Sequence, residues 1–182
     1  MAPRATTIDI VPAIVDLAAG RVPVAAAGGI GDGRGLAAMM MLGASGVLLG
    51  TRFYASIGML TAPEEAKRRI CAATSGNTRP RHHLRSVAQQ CLAGAVYRRA
   101  ALINEHARRW MGREVELMQQ CQSRSRPEYA AAKAAGNFDI AAVIAGEAVG
   151  LIHDIPPAAE IVDRIVTEAD QILSGRRNSF AA

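Results

Sequence analysis

Apolar residues recur along this chain in two rhythms, and the change between them falls near residue 60. Before it, short runs of Val, Ala and Leu end in glycine; after it, helical spacing prevails. Over residues 8–19, Ile10, Ile14 and Leu17 share one helical face with Val11 and Val15 beside them, and Gly20 stands where such a helix stops. Residues 22–27 show no polar alternation, the pattern of a strand buried on both faces of a parallel sheet. Asp32 is placed to cap a helix over 33–42, whose Leu36, Met39, Met40 and Leu42 face that sheet. Gly43 ends it, and residues 47–49 read as the second buried strand. The order α-β-α-β with short connections predicts α/β architecture.

Beyond residue 60 a helix is predicted over 62–74, with Pro63 in its first turn and Glu64 and Glu65 at its positive end. Residues 76–95 carry turn signals and the pair His82-His83, and fit no single element. Residues 99–121 predict one long helix, interrupted at Gly112, with Leu102, Ile103, His106, Trp110, Val115 and Leu117 inward. A helix over 126–135 precedes Gly136 and Asn137, and residues 139–146 read as helical. The last helix opens at Pro156 and Pro157 and runs Ile161, Ile165, Ala169 and Ile172 along one stripe to Gly175, with a loose tail from Arg176. That stripe needs an apolar surface, so the helix is expected to pack back on the strand region. The division expected is 1–60 for the strand region and 61–182 for the helical region.

Composition narrows the chemistry. Half of the 182 residues are apolar and only 4% aromatic, so the core is built from Ala, Val, Ile, Leu and Met. The net charge of +5 comes almost wholly from arginine, since Lys67 and Lys133 are the only lysines. Such a balance allows anionic ligands or nucleic acid, but no nucleic-acid motif accompanies it, and a solvated basic surface explains it as well. Cys71, Cys91 and Cys121 form no metal or CxxC pattern. Adjacent histidines on one element point apart, so His82 and His83 make no metal pair. No run approaches the roughly 20 apolar residues of a membrane span, and Arg4 and Asp9 break any leader pattern; the expectation is a cytoplasmic chain. A closed (β/α)₈ barrel needs roughly 250 residues, so two strands here would be a portion of one.

Two glycine-bearing turns carry the candidate chemistry. Gly28 and Gly29 end the first strand, and without a Cβ they let main chain approach an anion closely. Gly50 and Thr51 follow the second strand, at the start of a helical turn whose N–H groups favour a phosphate, with the Thr51 hydroxyl as a further donor. A bare tight turn explains Gly28 and Gly29 equally if either is taken alone. Arg52 fits a phosphate screen or a surface arginine. Glu147 could serve as a base, and Trp110 and His106 fit packed positions.

The segments Ala27-Gly28-Gly29-Ile30-Gly31-Asp32-Gly33-Arg34-Gly35, Leu42-Gly43-Ala44-Ser45-Gly46-Val47 and Gly50-Thr51-Arg52-Phe53 resemble the FMN-phosphate region of nitronate monooxygenases, formerly 2-nitropropane dioxygenases. Residues 108–114, 145–152 and 154–162 resemble later parts of that family, in the same order. The resemblance implies an α/β fold, the C-terminal portion of a TIM (β/α)₈ barrel with two parallel strands, followed by a mostly helical region packing on it. It implies FMN as cofactor, a nitroalkane or nitronate substrate, and oxidation with O₂ to a carbonyl compound and nitrite. Gly28 and Gly29 would hold the FMN phosphate on one side, and Leu48, Leu49, Gly50 and Thr51 on the other, chiefly through main chain. The family often has a polar residue where Leu48 stands. The segment bearing the family's catalytic histidine has no counterpart among His82, His83, His106 and His153, so no catalytic residue and no metal ligand is assigned. The expectation is a chain truncated relative to the family and inactive alone. The alternatives are a non-catalytic phosphate- or flavin-binding module, a half-barrel completed by a partner chain that supplies the other strands, and a basic nucleic-acid-binding protein.

Overall fold

The computed structural model describes residues 6–80, 100–120 and 125–179, and divides the chain into two compact units. The first comprises Met1–Met59 and Asp154–Ala182, and the second Leu60–His153. The expected segment 76–95 lies mostly outside the described residues, as do His82, His83, Cys91 and Cys121.

Unit 1 is an α/β unit. Helix α1 (Thr7–Ala18) leads to strand β1 (Ala25–Ala27), helix α2 (Gly33–Met41), strand β2 (Gly46–Leu48) and the single-turn helix α3 (Thr51–Tyr54). β1 and β2 pair in parallel, with Ala25 opposite Gly46, Ala26 opposite Val47 and Ala27 opposite Leu48. Asp32 caps α2 as its position predicts, accepting the Gly35 N–H at 3.1 Å. The core is Val11, Ala26, Ile30, Met39 and Ala44, with Val15, Leu42, Val47 and Leu49 packed against it.

Three expectations for this unit are corrected. The strands are covered on one face only: Ala26 is buried while Ala25, Ala27 and Leu48 are exposed. Helices α1 and α2 supply the one apolar layer, and the described residues of the unit put no second layer on the other face, so strand residues alternate despite their uniform apolarity. Helix α1 turns Val11 and Val15 inward and leaves Ile10, Ile14 and Leu17 exposed, Leu17 by 70%. The face that packs is the one bearing Val11 and Val15, and the Thr7 hydroxyl at the start of the helix donates to the Gly28 carbonyl at 3.1 Å, a contact that periodicity does not reveal. The last helix, named below, runs past Gly175 to Ser179 instead of loosening at Arg176. A glycine costs a helix only about 1 kcal/mol relative to alanine, too little to stop one already long.

Unit 2 begins with helix α4 (Glu64–Cys71), a 3₁₀ turn (Ser75–Asn77), and strand β3 (Thr78–Pro80) antiparallel to β4 (Ala100–Leu102). Helices α5 (Glu105–Trp110), α6 (Glu114–Gln119) and α7 (Arg126–Ala134) follow, then a 3₁₀ helix (Glu147–Leu151). The long helix predicted over 99–121 is therefore a strand and two short helices, and residues 139–146 are not helical. One set of hydrogen bonds explains both corrections. The Leu102 N–H donates to the Val143 carbonyl at 3.0 Å and the Ala145 N–H to the Ala100 carbonyl at 3.2 Å, so each segment takes up main-chain groups that a helix would need in the other. Asn104 then caps α5 by accepting the Ala107 N–H at 2.9 Å, while its Nδ2 donates to the carbonyls of Phe138, Ile140 and Ala141. Leu102, His106, Trp110 and Leu117 are buried as expected, but Val115 is 69% exposed, because the turn at Gly112 (φ +78°) resets the helix phase.

The chain re-enters unit 1 with helix α8 (Ala158–Ser179), whose buried Ile161, Ile165 and Ala169 form the predicted stripe. It packs on α2 closely enough that Gly33 has room for no side chain. A Cβ there would lie 2.5 Å from the Glu168 Cβ, 2.6 Å from the Ile165 carbonyl and 2.7 Å from the Ala169 nitrogen. The Gly33 N–H donates to Glu168 at 2.7 Å across the same contact. Gly33→Ala is expected to lower the stability of the chain by about 1–3 kcal/mol through overpacking, read as an earlier circular-dichroism melt. Gly46→Ala, where a Cβ meets nothing within 4 Å, serves as the control.

Candidate functional site

The parallel register makes the strand tips level. Ala27 opposes Leu48, so the turns that follow leave the same end of the sheet on neighbouring strands, and adjacent strands lie about 4.8 Å apart. Gly28 and Gly29 adopt φ of +113° and +72°, which side chains disfavour. At Gly28 a Cβ would also lie 3.1 Å from the Thr7 hydroxyl, whereas at Gly29 and Gly50 a Cβ would meet nothing within 4 Å. Gly28 thus has a packing reason of its own, and Gly29 a conformational one. Among the described residues no acceptor pairs with the Gly29 or Gly50 N–H. Leu48 directs its side chain to the open sheet face, 64% exposed, and Leu49 packs into the core. Gly50 and Thr51 lead into α3. The residues named from the sequence therefore fall at one end of one sheet, with bare main chain exposed at two neighbouring tips. That arrangement fits a phosphate group, which needs convergent N–H donors without intervening side chains.

Arg52 is neither a surface arginine nor a group facing outward from the turn. It is buried and bonds inward: Nη1 donates to Asp154 Oδ1 at 2.8 Å, and Nη2 to the carbonyls of Asp154 at 2.6 Å and Ala55 at 2.8 Å. Burial alone would raise the Asp154 carboxyl, but the hydrogen bonds from Arg164 and Arg52 outweigh it and hold the group below its ordinary value of 3.8. Thr7, Asp154 and Glu168 are the residues that sequence reading misses here. Each acts across a long sequence separation, and no local spacing signals them.

The N-terminus of α2 is already satisfied by Asp32 and Glu168. The arginines carry much of their charge in ion pairs: Arg34 with Asp32, Arg69 with Glu65 and Asp139, Arg113 with Glu116, and Arg164 with Asp154 and Glu160. Unit 2 holds a cavity of about 260 Å³ over Leu102, Phe138 and Val143. Its rim sets Arg69 and Arg108 against Asp139 and Glu105, which leaves no net charge for an ionic ligand. No cluster of three or more metal-ligating side chains exists among the described residues. None of their helices is long and apolar enough to cross a membrane. Glu147 and His153 are exposed, and Trp110 is buried with the guanidinium groups of Arg109 and Arg113 5.2 and 5.4 Å from its ring centre.

A nitronate monooxygenase profile matches residues 2–168. The chain belongs to the nitronate monooxygenase family. A nitronate monooxygenase of Neurospora crassa is 33% identical over 167 residues, covering 88% of this chain and 41% of that protein. A Mycobacterium tuberculosis protein, (3aS,4S,5R,7aS)-5-hydroxy-7a-methyl-1-oxo-octahydro-1H-indene-4-carboxyl-CoA dehydrogenase, is 32% identical over 197 residues, covering 92% of this chain and 55% of that protein. Among solved structures, FabK from Thermotoga maritima superposes with a TM-score of 0.74 at 27% identity, over 97% of this chain and 53% of that one. The chain spans about half the length of the relatives it matches. Its fold is the C-terminal portion of a TIM barrel with two parallel strands, followed by a mostly helical region, as the family resemblance implies.

In this family member His106 is a packing residue with a pH signature. Its ring is buried beside those of Trp110 and Tyr129, at centroid distances of 6.4 and 6.1 Å, and its Nε2 has no partner among the described residues. Burial pushes the imidazole below its ordinary value of 6.5, against the pull of the Glu128 carboxylate and with a push from Arg109. The unfolded chain therefore takes up this proton first as pH falls. The stability linked to His106 is complete above about 6.5 and is lost on acidification through that value, by up to about 1.4 kcal/mol per pH unit. Urea unfolding followed by the fluorescence of Trp110, the single tryptophan, is expected to show stability falling as pH drops below about 6.5. His106→Leu is expected to flatten it.

Proposed function

We propose that this chain forms the phosphate-holding end of a nitronate monooxygenase-like flavoenzyme that works in the cytoplasm. Gly28 and Gly29 on one side, and Leu48, Leu49, Gly50 and Thr51 on the other, hold the FMN phosphate. The observation that carries this reading is the level pairing of β1 and β2, which sets two glycine tips side by side with the Gly29 and Gly50 amides unpaired within the described protein. The contacts are main-chain in kind. Leu48 offers an apolar, exposed side chain in place of a polar one, so its share lies in its backbone. The Thr51 hydroxyl supplies a side-chain donor at the second tip.

Bound FMN would supply the redox chemistry that turns an alkyl nitronate and O₂ into a carbonyl compound and nitrite. This chain's own residues anchor and orient the phosphate. Among the described residues no histidine is assigned as a proton carrier for the reaction; His106 is buried among aromatic rings. The two relatives described above are named for different substrates, a carboxyl-CoA and a nitronate, and the phosphate turn does not depend on that difference.

A second reading is favoured by the sheet itself. Two paired strands leave two outer edges, and unpaired strand edges recruit other strands. A partner polypeptide carrying further parallel strands would complete the sheet and close the flavin site. In either reading the isolated chain binds FMN weakly and does not turn over nitronate.

Amide-resolved NMR tests the reading on the purified chain. Millimolar FMN and inorganic phosphate are expected to shift the amides of Gly28, Gly29 and Gly50, riboflavin to leave them in place, and nitronate to yield no nitrite. Equal shifts with riboflavin, or none with phosphate, would refute the phosphate grip. Nitrite release by the chain alone would refute the assignment of an incomplete site.

A further inference from the structure

Arg52 follows the second glycine tip directly, yet only 6% of it is exposed. Its Nη atoms make three hydrogen bonds, to Asp154 Oδ1, the Asp154 carbonyl and the Ala55 carbonyl, while Nε is buried with no partner among the described residues. Burying a guanidinium is costly, and a buried ion pair is often no better for stability than apolar residues of the same volume. What such a pair does well is fix one geometry, because a planar fork bonded at several points allows little movement of the backbone that carries it.

Three observations point to what is being fixed. The backbone that carries Arg52 is the β2 tip, where the Gly50 N–H has no acceptor among the described residues. The anchor is the segment before α8, since Asp154 also receives Arg164 of α8 and the Ile57 N–H donates to the Pro156 carbonyl at 3.1 Å. The Tyr54 and Ala55 N–H groups return to the carbonyls of Gly50 and Thr51, at 2.9 and 3.2 Å, so the Ala55 carbonyl gripped by Arg52 belongs to the same closed turn. The other tip has its own tether, the Thr7 hydroxyl on the Gly28 carbonyl.

We propose that Arg52 is a positioning residue: through Asp154 and Ala55 it sets the main chain of Gly50 and Thr51 level with Gly28 and Gly29, so that phosphate affinity depends on the Arg52 fork. This rests on the phosphate reading above. Its effect comes from geometry, because the guanidinium faces inward and contributes no direct contact to the anion.

Three variants of the chain test it by NMR, with inorganic phosphate as probe: Arg52→Met, Arg52→Lys and Asp154→Asn. Arg52→Met is expected to weaken the phosphate response of Gly50 about tenfold or more, as loss of an orienting partner does elsewhere. It is also expected to speed hydrogen exchange at Tyr54 and Ala55 and to leave the Gly33 amide, held by Glu168, unmoved. Arg52→Lys keeps the charge but loses the fork, and is expected to behave like Arg52→Met. Asp154→Asn keeps the Oδ1 and carbonyl acceptors and is expected to retain most of the response. Wild-type phosphate affinity or wild-type exchange in either Arg52 variant would overturn the proposal. So would an Asp154→Asn loss as large as that of Arg52→Met, which would make the pair's role one of charge. If Arg52→Met does not fold, the Lys and Asn variants decide. If the wild-type chain ignores phosphate, the flavin reading fails, and exchange at Tyr54 and Ala55 still decides whether Arg52 sets the turn.

Discussion

Two three-residue strands, paired in parallel with Ala27 opposite Leu48, hold the glycine turns of unit 1 at one level. Strands this short contribute little stability of their own, so their register depends on what packs around them. Val11 and Val15 from α1 and Met39 from α2 cover one face. Helix α8 fixes α2 in turn, through an approach so close at Gly33 that only a hydrogen atom fits between the two helices. A displaced α8 would move α2, and with it the layer on which the strand register rests.

Polar contacts finish what the apolar layer begins. The Thr7 hydroxyl meets the Gly28 carbonyl, Glu168 accepts the Gly33 N–H, and Arg52 grips Asp154 and Ala55. Each joins segments that the chain brings together only on folding, and each lies beside or near a glycine turn. The apolar core is built of aliphatic side chains and Met39 without aromatic rings, and apolar packing carries no directional bonds. Directional bonds at the turn margins supply the precision that such a core lacks. Unit 2 follows the same logic, with Asn104 gathering three carbonyls around the start of α5.

Family membership and the local geometry speak to different questions. The family match places the chain among nitronate monooxygenases and a carboxyl-CoA dehydrogenase about twice its length. The geometry shows one sheet end with exposed main-chain donors and, within the described residues, no group of three or more His, Cys, Asp or Glu side chains that could hold a metal ion. The phosphate grip proposed above is the chemistry compatible with both.

The sequence by itself determined the elements whose signals are local. Asp32 capping α2, the glycine turns after β1 and β2, the α-β-α-β order and the stripe on α8 are all read from neighbours within one or two turns of chain, because capping, φ preference and helical period act at that range. Its order of motifs likewise determined the family. Only tertiary structure decided the rest. Residues 100–102 and 143–145 lie in stretches whose spacing predicts helix, yet they exchange main-chain hydrogen bonds with each other, which takes up groups that a helix in either would need. The inward face of α1 follows from the packing of Val11 and Val15 beside β1 and β2, and the orientation of Arg52 from a carboxylate 102 residues away. Contacts at such separations leave no periodic trace in the chain, since their partners are set by where the folded backbone places them and not by spacing along it.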